Sequence, residues 1–346
     1  MKMNKKLCIG IFAWGDYLMG MGHVYRQLRL FEHVNQRGCD ITFYTFRNST
    51  VEKLLRGKIA YQCVHSIYDI DPKRRFTHFV FDVLNVPLED VKYIRNKTDM
   101  IVSFDNNGKS LNRCDVSFNC LYPNSRKNVV SDYEYLILPD ECLIYQKKKK
   151  LSKIKKILVM QGGTDTYGVL LRLARVLPQY FPHLQFTFIT GSLCIYKNEL
   201  IKIIQAQSNV NVEFDISSLH KFAACHDVAI TGGGMGMFEI AAMGIPVIAC
   251  TQELKELKTM MTAHKKKIII TMGLTSTLTD TQLIKSVQRS VSNIPNLNQL
   301  SSRAKEKLNC NGIKKILRRV GILDECTIED SKSGRRAKNS LYLPKS

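Results

Sequence analysis

No Cys-x-x-Cys pair occurs in this chain, although eleven cysteines are scattered from Cys8 to Cys326. With no recognisable secretory leader, that scatter argues against a disulfide scaffold and points to reduced thiols in a cytosol. Several of the thiols, Cys8 and Cys250 among them, lie in apolar runs and read as core filler. The histidines show no metal-ligand spacing either; His220 and His226 stand six apart, the wrong spacing for one helix face. No metal and no cofactor are therefore expected. The basic start, residues 1–6, leads into an apolar run from Leu7 to Trp14 that Gly15-Asp16 breaks too soon for a signal peptide. The longest apolar stretch, Val228 to Cys250, is cut by Glu239, by glycines and by Gly244-Ile245-Pro246, so no transmembrane helix is expected. Acidic residues are scarce, 30 against 51 Lys and Arg, which leaves a net charge of +21. Such an excess suits nucleic acid, an anionic membrane surface or acidic small molecules. No zinc finger, helix-turn-helix or aromatic–basic motif accompanies it. That sets nucleic acid aside and leaves anionic lipid or an anionic ligand.

What is present has the balance of a globular protein: 45% hydrophobic and 23% charged residues over 346 positions. That length suggests two domains, each able to bury its own core. Short apolar runs alternate with helical patterns from the start. Leu7 to Phe12, Asp40 to Phe46, His78 to Leu84 and Met100 to Asp105 read as strands, with an amphipathic helix from about Val24 to Val34. Lys147 to Lys156 holds seven lysines and reads as a solvated linker between domains. The pattern then restarts with strands at Lys156–Met160, Phe186–Gly191, Val210–Phe214, Asp227–Ile230, Pro246–Cys250 and Ile268–Thr271. Strands alternating with helices predict a parallel α/β sheet in each half. The expected organisation is a Rossmann-like domain over 1–148, a second over 149–322, and a disordered basic tail over 323–346.

Two glycine turns stand out. Thr231-Gly-Gly-Gly-Met-Gly-Met-Phe-Glu239 follows a strand and opens a helix. A helix start leaves N–H groups unpaired and carries partial positive charge, so a glycine-lined start is an anion site, most often for phosphate. Gly233, Gly234, Met235 and Gly236 are the candidate phosphate contacts. Glu239 lies in the first turns of that helix. A carboxylate there would repel phosphate and better suits sugar hydroxyls; the other reading is a tight turn with a solvated glutamate. Gln161-Gly162-Gly163-Thr164-Asp165 forms the second turn, after the first strand of the second half. Neither turn reads Gly-x-Gly-x-x-Gly with an acidic residue after the next strand, which argues against a dinucleotide-dependent dehydrogenase.

The first half ends its loop in Gly20-Met-Gly22-His23-Val-Tyr-Arg26. Ligands of parallel sheets gather at the carboxyl ends of strands, and His23, Asp82 and Asp105 to Gly108 fall at or near such ends. His23 can take a proton near neutral pH, or simply close a turn. Arg26, one turn on, can bind phosphate or brace the loop. Asp105 can orient a sugar or cap a turn.

Taken in order, the Gly-x-Gly-His turn, Gly-Gly-Thr-Asp, Gly-Gly-Gly-x-x-x-x-Glu and Gly-Ile-Pro resemble the PseG/SpsG-like family of nucleotide-sugar enzymes, relatives of MurG with the two-domain GT-B architecture. Val102-Ser-Phe-Asp105, Cys114 to Asn119 and Tyr135 to Leu138 add smaller echoes, and the resemblance spans about residues 6 to 320. It implies two Rossmann-like domains facing across a cleft. It implies a UDP-type sugar donor with its ribose on Glu239 and its diphosphate on Gly233–Gly236 and Gly162–Asp165. It places His23, with Gly22 beside it, as the catalytic base across the cleft. Family members include UDP-sugar hydrolases and predicted glycosyltransferases of surface or spore-coat polysaccharide. Two departures bear on the choice. The hydrolases' Arg-x-Asp is replaced by Phe12-Ala13-Trp14, with Asp16 out of register, and Gln252-Glu253 stands near the place of the usual Asn-Gln. The loss of Arg-x-Asp favours a glycosyltransferase over a hydrolase. A non-catalytic binding protein on the same scaffold is the third reading. The acceptor is a sugar, a lipid-linked sugar or water, and the basic charge suits a cytoplasmic protein in peripheral contact with a membrane.

Overall fold

The computed structural model describes residues 7–16, 21–162, 165, 167–191, 194–216 and 218–323. The chain builds two sheets in succession. The first contains β1 (Cys8–Ala13), β2 (Asp40–Phe46), β3 (Tyr61–Val64), β4 (Phe76–Asp82), β5 (Thr98–Phe104), β6 (Val116–Phe118) and β7 (Val129–Val130). Their order is β3-β2-β1-β4-β5-β6-β7, and every pairing is parallel. The second contains β8 (Lys156–Met160), β9 (Gln185–Thr190), β10 (Val210–Phe214), β11 (Val228–Thr231), β12 (Val247–Thr251) and β13 (Ile270–Leu274), in the order β10-β9-β8-β11-β12-β13, again all parallel. In each sheet the order reverses beside the first strand, which creates a crevice at the carboxyl ends of the strands.

Twelve helices are described. Around the first sheet run α1 (Gly22–Asn35), α2 (Ser49–Leu55) and α3 (Leu88–Arg95), and α4 (Glu141–Ile144) follows it. The second half carries α5 (Val169–Tyr180), α6 (Lys197–Ala206), α7 (Leu219–Ala223), α8 (Met235–Ala242), α9 (Leu254–Lys265), α10 (Asp280–Ser292) and α11 (Ile294–Lys307), and α12 (Gly312–Arg319) closes the described chain.

Both faces of a parallel sheet are covered, so its inner strands are apolar throughout rather than alternating. β4 is buried along its whole length. Gly10 in β1 makes room for this, because a Cβ there would come within 2.6 Å of the Phe79 ring. α8 is also buried on almost every side, from Met237 to Ala242. Gly244, with φ of 75°, ends it in the left-handed conformation, and Pro246 leads into β12.

The two halves meet through an apolar seam. Tyr133, Leu136, Leu138 and Cys142 share one core with Phe238, Ile240 and Met243 of the second half. The Tyr133 and Phe238 rings lie 4.9 Å apart. The lysine-rich connection keeps Lys148, Lys149, Lys150 and Lys153 in solvent, as expected, while its backbone is strapped to the second half. Lys147 N–H donates to the Met243 carbonyl at 2.7 Å, Gln146 Nε2 to the Ala242 carbonyl at 3.0 Å, and Leu151 exchanges bonds of 2.8 and 2.9 Å with Asn298. Backbone polar groups pinned in this way fix the path even where the side chains are charged.

α12 lies within the span expected for the second domain, yet it packs on the first sheet. Ile316, Leu317 and Val320 join the core of Ile9, Ile11, Val80 and Val102, and His78 Nε2 lies 2.8 Å from the Val320 carbonyl oxygen. The return is possible because Gly312 approaches the backbone of Leu136; a Cβ there would fall 2.0 Å from that carbonyl oxygen. An amphipathic helix pattern announces that one face is buried, but not against which sheet. No helix among the described residues is long and apolar enough to cross a membrane.

Candidate active site

At the carboxyl end of β4 stands Asp82, and just past β5 stands Asp105; both are fully buried. α1 faces them with His23, Arg26 and Gln27, which recur at helical spacing on its inner side. His23 Nδ1 lies 2.6 Å from Asp82 Oδ1. Arg26 donates to both Asp82 oxygens, from Nε at 2.8 Å and from Nη2 at 2.6 Å, and its Nη1 donates to Asp105 Oδ2 at 2.6 Å. Gln27 Nε2 donates to Asp82 Oδ2 at 2.8 Å. The second oxygen of Asp105 accepts from the Leu121 N–H at 3.0 Å.

This is a closed network of paired charges, as burial requires. Burial works to raise the Asp82 pKa, but the Arg26 guanidinium and then His23 outweigh it and hold the carboxyl well below the usual range. Burial likewise works against the Arg26 charge, and Asp82 and Asp105 together more than offset it. Arg26, whose reading lay between phosphate contact and brace, thus has its fork taken up by two carboxylates. Asp105 serves it as the second anchor and adopts a positive φ of 46° to do so. His23 is different. Its side chain keeps 16% exposure, and with Nδ1 on Asp82 its Nε2 has no hydrogen-bond partner among the described residues. A histidine whose Nδ1–H is held by a buried carboxylate presents Nε2 as the basic nitrogen. Gly22, at the start of α1, has open space around its Cα.

In the second half, Glu239 projects from α8 and is 9% exposed. It is not a solvated glutamate. Oε1 accepts from Arg29 Nη1 at 3.2 Å and Oε2 lies 3.1 Å from His220 Nε2. Burial would raise its pKa, but the His220 hydrogen bond and the Arg29 charge bring it below the ordinary value. Each carboxylate oxygen has a further lone pair, so hydroxyls can still be received. Arg29 comes from α1, so this ion pair spans the two halves. Thr259 of α9 adds a second crossing bond, to the Leu121 carbonyl at 2.7 Å.

The glycine turn before α8 is shaped by α9. A Cβ on Gly233 would come within 2.8 Å of the Glu256 Cβ, and one on Gly236 within 2.9 Å of the Met160 methyl group. Glu256 Oε2 accepts from the Gly233 N–H at 3.2 Å and from the Thr251 hydroxyl at 2.5 Å. One N–H expected to face phosphate is therefore already on a carboxylate. What remains for an anion is the start of α8 beyond its N-cap Gly234, at Met235 and Gly236. In the other turn, Asp165 caps α5, accepting from Leu170 N–H at 2.9 Å and Leu171 N–H at 3.3 Å. Burial, opposed by those bonds, pushes its pKa up to about 6. Gly162 is exposed with φ of 72°, and Gly163 and Thr164 lie outside the described residues. Among the described residues no group of His, Cys, Asp and Glu could hold a metal.

Several partners escaped the sequence reading. In sequence Asp82 marks only a strand end, and its pairing with His23 is visible only once β4 and α1 are side by side. Sequence spacing sets His220 beside His226, and only the fold sets it against Glu239. Arg29 carried one signal, its place one turn beyond Arg26. Glu256 lies one helical turn past Glu253, in the segment where the family's usual pair is missing.

No family model matches the chain. It is 29% identical to the spore coat polysaccharide biosynthesis protein SpsG of Bacillus subtilis (strain 168) over 311 residues, which cover 83% of this chain and 90% of that one. Among solved structures it is similar to MurG of Acinetobacter baumannii, with a TM-score of 0.67 at 14% identity, covering 92% of this chain and all of that one. It is also similar to CalG4, the calicheamicin glycosyltransferase, with a TM-score of 0.62 at 11% identity over 92% and 98% of the two chains. The fold is thus the two-domain GT-B architecture, and the chain is a relative of SpsG along most of its length.

Proposed function

We propose that the protein is a glycosyltransferase that uses a nucleotide-diphosphate sugar, of UDP type, in the synthesis of a surface or spore-coat polysaccharide. The observation that carries this reading is the His23–Asp82 pair, set at the carboxyl ends of the first sheet opposite the α8 helix start and Glu239. The relation to SpsG supports the pathway.

The proposed chemistry uses this geometry. The donor's ribose hydroxyls give hydrogen bonds to Glu239, and its diphosphate lies against the start of α8 at Met235 and Gly236. The acceptor hydroxyl enters from the first half. His23 Nε2 takes the hydroxyl proton as its oxygen attacks the sugar's anomeric carbon. The bond from that carbon to the diphosphate oxygen breaks, and the nucleoside diphosphate leaves with the electron pair. Asp82 keeps the Nδ1–H in place and stabilises the imidazolium that forms. The helix N-terminus meets the charge that develops on the leaving group. Residues 1–148 then act as the acceptor side and 149–322 as the donor side, with α12 lent back to the first. A peripheral contact with a membrane would suit a lipid-linked acceptor.

The test begins with thermal shifts in the presence of UDP, GDP, CMP and their sugar conjugates. A donor at a hundredfold excess over its dissociation constant should stabilise the fold by about 2.7 kcal/mol. No shift with any nucleotide, in protein shown to be folded, would sink the reading. Product analysis with and without an added acceptor then separates transfer from hydrolysis, since water could use the same base.

A further inference from the structure

The strap between the two sheets has a chemistry that the cleft does not use. Lys148, Lys149, Lys150 and Lys153 are exposed, and none pairs with a carboxylate among the described residues. Asp227, which lines the same groove, is taken by the backbone: its Oδ2 accepts from the Lys155 and Lys156 N–H groups at 2.8 and 2.9 Å. Lys147 is the exception, turned inward to the Ala224 carbonyl at 2.7 Å. The bonds to Met243, Ala242 and Asn298 hold the strap's path, so the outward lysines form a fixed array and not a floppy run. A groove of about 630 Å³ runs beside them, lined by Ile144 and the lysines as well as Asn298 and Ser301. A second, of about 600 Å³, continues from Lys150 to Lys267 and Arg303.

Two large apolar side chains adjoin this charge. Ile144 is 70% exposed and Leu143 is 47% exposed. An apolar pair beside a cluster of unpaired lysines is the composition of a segment that rests in a lipid headgroup layer. The lysines meet anionic headgroups while the aliphatic side chains enter the acyl boundary. A soluble polyanion would use the lysines and leave Ile144 and Leu143 in water.

The position is also informative. Lys155 immediately precedes β8, Asp227 precedes β11, and Pro246 precedes β12. The groove therefore lies at the amino ends of the second sheet. The glycine turns lie at the carboxyl ends of the same strands. A surface docked on the strap leaves the donor side of the cleft open.

We propose that residues 143–155, with Lys267 and Arg303, are a docking surface for an anionic phospholipid bilayer. This gives a place to the membrane contact in the functional reading above, and it rests on that reading only for its purpose. Its measurement needs no nucleotide.

The test is co-sedimentation of the full chain with vesicles rich in phosphatidylglycerol and with vesicles of phosphatidylcholine alone. The protein should bind the first, release as salt is raised, and bind the second at least tenfold more weakly. K148E/K149E/K150E should lower binding to the anionic vesicles by more than about tenfold. I144S should lower it several-fold while leaving retention on a heparin column unchanged. Both variants alter exposed side chains and should keep the parent melting temperature and nucleotide shift, so a failure here is separable from a failure of the donor reading. Equal binding to both vesicle types overturns the proposal. So does retention on heparin without vesicle binding, which assigns a soluble polyanion. So does undiminished vesicle binding by the triple variant, which would move the contact to another basic stretch such as residues 332–346.

Discussion

Asp82 and Glu239 make a natural pair for comparison. Each is a buried carboxylate held by one arginine and one histidine, and each is drawn below its usual pKa against the effect of burial. They differ in where their partners come from. Asp82 takes His23, Arg26 and Gln27 from a single helix of its own half. Glu239 takes His220 from its own half but Arg29 from α1 of the other. The first is complete before any cleft forms. The second is complete only while the two halves face each other. One helix, α1, therefore touches both sites through arginines one turn apart. The base site is a rigid fixture, and the donor-side carboxylate reports on the distance between domains.

The sharpest way to break this comparison is at the base. His23→Ala should reduce turnover by about 10²–10⁴-fold and leave the nucleotide thermal shift intact; full activity would remove His23 from the mechanism. Next in size is Asp82→Ala, which takes from the buried Arg26 guanidinium two of its three carboxylate bonds and leaves it Asp105 alone. Urea denaturation should show a loss of about 3–5 kcal/mol, whereas Asp105→Asn, which leaves Arg26 its Asp82 anchor, should lose clearly less. Glu239→Ala should weaken nucleotide binding by roughly ten- to a hundredfold, the scale of hydrogen bonds to a charged group, as read by titration calorimetry. Unchanged affinity would move the ribose elsewhere.

The smaller effects sharpen the contrast. Arg29→Met removes a partly exposed partner and should cost at most about 1 kcal/mol. Its distinctive readout is a wider spread of domain separations in small-angle scattering, which Arg26 variants should not produce. Finally, both carboxylates release their protons more readily in the folded chain than in the unfolded one. The stability they contribute is therefore present above their unfolded values, about 4, and is lost as the pH falls through their lower folded values. Melting temperature should decline on acidification below pH ~4, and Asp82→Asn should flatten that decline.

Much of this arrangement could be read in advance, for physical reasons. Buried parallel strands are continuous apolar runs, so β8 stands out with its full span and a glycine turn marks its end, while the edge strand β10 is legible from the alternation Val-Asn-Val-Glu-Phe. β3, β6 and β7 do not, being short: Tyr61-Gln-Cys-Val64 and Val129-Val130 carry too few apolar residues to separate from loops. His23 and Glu239 announce themselves by their places in motifs. Their partners do not, because Asp82, Arg29 and His220 become partners only through folding, across 59, 210 and 19 positions of chain. The strap misled for a related reason. Seven lysines describe side chains, while its path is set by backbone and amide hydrogen bonds that composition does not record.

The return of α12 has a consequence for how the protein is made. The face of the first sheet that holds Ile9, Ile11 and Val102 is covered by Ile316, Leu317 and Val320. During synthesis, that face emerges early, and its cover is among the last parts of the described chain to leave the ribosome. At ordinary translation rates the wait is on the order of tens of seconds. The N-terminal half thus spends its first moments with an apolar side uncovered, and it becomes a finished domain only when the rest of the chain has been built.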